Sequence, residues 1–246
     1  MKEFFKTSQD ALVWCCKQGI MGNIYYDNHE NPRSAMAVLG DFTYFDGEPS
    51  EELALFWPPK AKKDYRIFVP CSKEWEEILE KCYEGKIRKI TRYAMKKERD
   101  VFQKEQLKQA IQTVLEKEIQ LSFLDEKLFY ECRKEEWSYD LIGQFSDFES
   151  FKKLGIGVVA VKNGEILAGA STYARYDKGI EIEVDTKSKY QRMGLAYGCS
   201  AALILACLEQ EIYPGWDAHN LASRALAEKL GYHFLREYVA YEIYGK

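Results

Sequence analysis

A chain of 246 residues with 46% hydrophobic and 30% charged side chains can bury a full core, as one large domain or two small ones. No apolar run approaches the length of a membrane span, and a formal charge of −4 argues against a nucleic-acid-binding surface. The opening segment MKEFFKTSQDALVWCCKQG breaks every apolar stretch with charge and has no small-residue cleavage site, so a cytoplasmic protein is expected.

In chain order, residues 10–18 (DALVWCCKQ) predict a short helix and residues 34–45 (SAMAVLGDFTYF) a strand. SEELALFW is a short helix stopped by Pro58 and Pro59, and RIFVP reads as a buried strand. Ser72 caps a helix whose Trp75, Ile78, Leu79, Cys82 and Tyr83 recur at helical spacing before Gly85 ends it. A strand is expected over residues 87–95. This first unit therefore reads strand, helix, strand, helix, strand. Beyond the solvated run KKERD, residues 106–119 (QLKQAIQTVLEKEI) predict a helix with one face formed by Leu107, Ala110, Ile111, Val114 and Leu115. Asp125 caps the next helix, and Ser146 with Glu149 forms a capping-box pattern before a stop at Gly155. A domain boundary is placed here, dividing the chain into residues 1–125 and 126–246.

From Gly157 the texture changes. GVVAVKNGEILAGASTYARY is two strands joined by Asn163-Gly164, a strong hairpin signal. GIEIEVDT alternates Ile180, Ile182 and Val184 against Glu181, Glu183 and Asp185, giving a strand with one apolar and one acidic face. RMGLAYGCSAALILACLEQE is apolar almost all round and predicts a buried helix. PGWDA is a short strand, Asn220 caps a helix running to Gly231, and YHFLREYVAYEIY supplies one or two final strands. Seven cysteines without a CxxC pair read as reduced core residues, and three histidines without ligand spacing predict no metal site.

Gln191-Arg-Met-Gly-Leu-Ala196 lies between a strand and the buried helix. The first amides of a helix have no partner inside it and carry partial positive charge, so such a turn suits an anion. Gly194 and the small Ala196 allow close backbone approach to a diphosphate, and Arg192 can add a cation.

Gln191, Gly194 and Ala196 match the pattern Q/R-x-x-G-x-G/A, and here the chain resembles the GNAT superfamily of N-acetyltransferases. The likeness continues through the hairpin and GIEIEVDT, and through WDAHNLASRALAEKLGY, covering residues 151–244. It implies an α+β fold with a mixed sheet, acetyl-CoA as cosubstrate without a metal, and a primary amine of a small molecule or protein as acceptor. Backbone groups of Val184 and Thr186 would hold the pantetheine arm, the Val184–Asp185 region would polarise the acetyl carbonyl, and amides of Arg192, Met193, Gly194, Leu195 and Ala196 would hold the diphosphate. Asn220 and Ser223 match positions lining the thiol end, although Asn220 is also an ordinary helix cap. Trp216 is expected to pack in the core.

Acetyl transfer needs a neutral amine, a polarised carbonyl and a proton for the departing thiolate. Glu181 and Glu183 share one strand face, and Glu183 is the expected base. Many family members carry a tyrosine acid four residues before the helix-ending glycine. Here that position is Ala227, so Tyr232, Ser223, another tyrosine or water would have to serve, or the domain binds acyl-CoA as a non-catalytic regulator. The first unit resembles a degenerate half of the same fold lacking the phosphate loop, as in glycine N-acyltransferase-type tandems. Its expected task is to close one side of the acceptor site or to support a homodimer.

Overall fold

A computed structural model describes residues 3–59 and 65–245. The chain begins α1 (Ala11–Lys17), β1 (Asn23–Tyr26), β2 (Ser34–Leu39), β3 (Phe42–Gly47), α2 (Glu51–Leu55), β4 (Tyr65–Val69), α3 (Lys73–Cys82) and β5 (Ile87–Met95). It continues through α4 (Lys104–Leu115), β6 (Gln120–Phe123), α5 (Glu126–Cys132), α6 (Glu136–Tyr139) and α7 (Phe148–Leu154). It ends with β7 (Gly157–Lys162), β8 (Glu165–Tyr176), β9 (Gly179–Thr186), α8 (Leu195–Glu209), β10 (Tyr213–Gly215), β11 (Asp217–Ala218), α9 (Leu221–Leu230) and β12 (Phe234–Tyr244). Among the described residues no helix is long and apolar enough to cross a membrane.

Two compact units divide the chain: Met1–Arg92 with Glu237–Lys246, and Tyr93–Arg236. These limits differ from a division at 125/126 for two physical reasons. The hydrophobic face of α4 packs into the core of the second unit with β6, and the end of β12 pairs with β4 in the first.

In the first unit β1, β2 and β3 form an antiparallel meander, β3 and β4 run parallel, and β12 lies antiparallel to β4. The expected strand over 34–45 is in fact two strands turning between Leu39 and Phe42, and β1 was not anticipated. Ser72 caps α3 by accepting from Trp75 N–H at 3.3 Å, and the predicted apolar stripe buries Trp75 and Leu79 completely. Trp75 stacks on Phe45 and donates its indole N–H to Gly47 O at 3.0 Å, so the unit's largest buried ring leaves no polar atom unsatisfied. Glu242 is buried as a carboxylate because Arg88 and the hydroxyls of Tyr65 and Tyr244 surround it, and these contacts hold its pKa down. Cys71 is exposed, a departure from the expected all-core cysteines.

In the second unit the sheet order is β10-β9-β8-β7-β6, antiparallel except for β9 beside β10. The β7–β8 hairpin turns on Asn163 and Gly164, both at positive φ, as its sequence predicts. Helix α8, apolar on every side, is buried between this sheet and α4. The helix expected to reach Ile119 stops at Leu115, because Lys117 and Glu118 fold into tight turns and β6 then pairs with β7. Asp125 caps α5 as expected, but α7 is capped by Asp147 reciprocally with Ser150, one residue beyond the predicted box.

Candidate functional site

The site begins where two strands part. Strand β10 runs parallel to β9 for three residues, pairing Tyr213, Pro214 and Gly215 with Gly179, Ile180 and Glu181. After Trp216 the chain resumes as β11, which pairs not with β9 but with Ala94 and Tyr93 of β5. From Ile182 to Thr186, β9 therefore keeps β8 on one side and has no strand on the other among the described residues. The segment PGWDA, expected to form one strand, is thus split between two sheets. Trp216 marks the branch, 5% exposed, with its indole N–H donated to Ser223 Oγ at 3.2 Å.

Along this released stretch Val184 N–H donates to Glu183 Oε1 at 3.2 Å, and Thr186 N–H donates to Asp185 Oδ1 at 2.9 Å. Both predicted pantetheine-binding residues thus turn an amide away from the β8 ladder, where only the preceding carboxylate takes it up. A ligand strand with a carbonyl acceptor can replace that weak local partner.

Past β9 the chain is anchored before it reaches α8. Lys187 bridges Glu135 at 2.7 Å and Glu165 at 2.9 Å, Lys189 also reaches Glu165 at 2.9 Å, and Tyr190 OH donates to the same carboxylate at 2.9 Å. Hydrogen bonds from both lysines and the tyrosine push the Glu165 pKa down to about 2. The following turn is strained: Arg192 has φ +61 and Gly194, the N-cap of α8, has φ +79. Glycine adopts that conformation without penalty, whereas Arg192 bears a cost of roughly 1–2 kcal/mol. No backbone N–H from Arg192 to Ala196 has a hydrogen-bond partner among the described residues. Residues Gln191, Arg192, Met193 and Gly194 are exposed, and a Cβ on Gly194 would meet nothing nearer than Lys117 Nζ at 3.8 Å. Open amides, a helix's positive end and unobstructed space suit a diphosphate.

The expected catalytic residues divide into three situations. Glu183 is half-buried on the released part of β9. Glu181 is buried at the fork, 6% exposed and opposite Gly215. Tyr232 is 2% exposed, packs edge-on against Phe102, and donates its hydroxyl to Pro214 O at 2.6 Å; burial above all raises its pKa well beyond the ordinary tyrosine value. That placement gives Tyr232 a packing role in the core. Asp185 is pushed up to about 6, chiefly by burial and further by Asp140, against the pull of the Thr186 amide. Asn220 Oδ1 caps α9 by accepting from Ser223 N–H at 2.9 Å, so both predicted thiol-end residues also have structural work. Ala227 is fully buried, and no group of three or more His, Cys, Asp or Glu among the described residues could hold a metal. Lys117 was missed because its approach to the loop is made in space, 76 residues before Met193.

The sequence model of the GNAT acetyltransferase family matches residues 2–241. The solved GCN5-related N-acetyltransferase-like protein from Streptococcus suis 89/1591 is 40% identical, with a TM-score of 0.90 over 97% of this chain and 95% of its own. A GCN5-related N-acetyltransferase from Kribbella flavida shares the fold at 12% identity, with a TM-score of 0.60 over 98% of this chain and 97% of its own. The uncharacterized N-acetyltransferase YdfB of Bacillus subtilis (strain 168) is 23% identical over 233 residues, 91% of this chain and 86% of its own length. A family match spanning nearly every residue, over strands that part beside an open-amide loop, makes this chain a member of the GNAT acetyltransferase family and an acyltransferase enzyme.

Proposed function

We propose that this enzyme moves the acetyl group of acetyl-CoA to a primary amine by direct attack in a ternary complex. Members of the family use acetyl-CoA, and the observation that carries the reading to this chain is the parting of β9 from β10 beside the unpartnered amides of Arg192 to Ala196. Those amides take the diphosphate. Val184 and Thr186 take the pantetheine arm through their backbone, giving up the Glu183 and Asp185 contacts.

The pantetheine arm and Glu183 compete for the Val184 N–H, so cofactor binding is coupled to the position of this carboxylate. Glu183 then accepts the amine proton directly or through water, with Glu181 at the fork as the other carboxylate within the same face. The amine nitrogen forms a bond to the thioester carbonyl carbon, the carbon–sulfur bond breaks, and the thiolate takes a proton from water, since Ala227 offers none and the Tyr232 hydroxyl is engaged.

The test is release of free CoA thiol from acetyl-CoA over a panel of amino acids, polyamines, aminosugars and peptide N-termini. Turnover is expected with a subset of amines, and Glu183→Gln should lower kcat by about hundredfold, the usual size of a general-base contribution. Tight acetyl-CoA binding with no thiol released over the whole panel contradicts it.

A further inference from the structure

We propose that Lys117 is a cofactor-binding residue, supplying from outside the loop motif a cation to the diphosphate of CoA. This deepens, and rests on, the acetyl-CoA reading above. The residue is delivered by a helix crossing. Gly198 lies in the first turns of α8 where α4 passes so closely that a Cβ there would sit 2.3 Å from Val114 Cγ2 and 3.2 Å from Ala110 O. Only a residue without a side chain permits that approach, and it brings the end of α4 to the start of α8.

Three residues after Val114 the chain presents Lys117. Its backbone is fixed: its N–H donates to Val114 O at 3.0 Å, its carbonyl accepts from Lys162 Nζ at 2.9 Å, and Ile119 just beyond is buried in the core. The exposed side chain extends over the loop, where the ammonium donates to Met193 O and faces the position a Gly194 Cβ would fill. Although Glu116 and Glu118 flank it in sequence, no carboxylate among the described residues pairs with it, while Glu118 lies 3.9 Å from Lys162.

An ammonium carries three donors, and a single carbonyl occupies one of them. A phosphate oxygen is a stronger partner for it than a peptide carbonyl. With the loop amides on one side and Lys117 on the other, the diphosphate is gripped by groups 76 residues apart in sequence. Lys117 thereby adds affinity for the phosphate-bearing cofactor and none for its pantetheine arm.

The experiment measures dissociation constants for CoA and for phosphate-free pantetheine by NMR titration, on wild type, Lys117→Met and Lys117→Arg. The methionine keeps the aliphatic stem, and thermal melts confirm equal folding of the exposed-site variants. The expected result is about tenfold weaker CoA binding for Lys117→Met at low salt, a gap that narrows at high salt, restoration by Lys117→Arg, and unchanged pantetheine binding. Equal CoA affinity in wild type and Lys117→Met overturns the proposal, as does an equal loss for pantetheine, which would mean that Lys117 only props Met193. Failure of wild type to bind CoA at all would instead sink the acetyl-CoA reading on which it rests.

Discussion

Substituting Gly194 separates backbone strain from charge. At φ +79 any side chain costs about 1 kcal/mol of folding stability, but the strain is present with and without ligand, so Gly194→Ala should lower stability while changing CoA affinity only a few-fold. Gly194→Glu bears the same strain and adds a negative charge at the mouth of the loop. The nearest heavy atom to the new Cβ is Lys117 Nζ at 3.8 Å, so the introduced carboxylate also draws off that cation. Repulsion between unit charges about 4 Å apart is roughly 1 kcal/mol in water and more where solvent is thinned, and a diphosphate carries about two such charges. With the lysine neutralised the total reaches roughly 3 kcal/mol, a loss of about hundredfold in affinity. Isothermal titration calorimetry with CoA at low salt measures it, alongside chemical denaturation of both variants. A Gly194→Glu variant that binds CoA within about twofold of wild type, while showing the expected drop in stability, refutes the placement of the diphosphate.

Other consequences follow from single groups. Asp185 is raised from 3.8 to about 6 in the folded chain, so its proton favours folding: the contribution is complete below about pH 4 and is lost as pH rises through 6. Asp185→Asn should remove that decline, seen by comparing unfolding free energies of both proteins at pH 4 and pH 7. Tyr232→Phe removes a hydroxyl bonded to Pro214 O and should cost about 1 kcal/mol of stability with kcat unchanged; a large fall in kcat would restore the tyrosine to the mechanism. Asn220→Ala takes away the α9 cap and should lower stability by about 1 kcal/mol, read from denaturation midpoints.

What could be read from the sequence was whatever short-range physics decides. The stripe on α3, the Asn163-Gly164 hairpin, the all-apolar α8 and the Asn220 and Gly231 caps each follow from neighbouring residues alone. The turn into α8 belongs to the same class, since its open amides come from a turn entering a helix. What escaped depends on partners remote in sequence. PGWDA has one strand's composition, and only β9 on one side and β5 on the other divide it at Trp216. The short β6 becomes a strand because β7 supplies its hydrogen bonds, and the division into units shifts because β12 returns to β4. The Tyr232 hydroxyl meets a buried carbonyl because its ring packs against Phe102 and Trp216, residues distant in sequence. Lys117 joins the loop through a crossing that depends on the pairing of Gly198 with Val114, which no local pattern announces.

A crystal structure of the enzyme with CoA bound bears most directly on the central claim. Diphosphate oxygens are expected within about 3 Å of backbone nitrogens between Arg192 and Ala196, with the pantetheine arm beside Val184 and Thr186 where β9 has lost its neighbour. A diphosphate bound elsewhere on the chain, with the Arg192–Ala196 amides facing solvent, would contradict it.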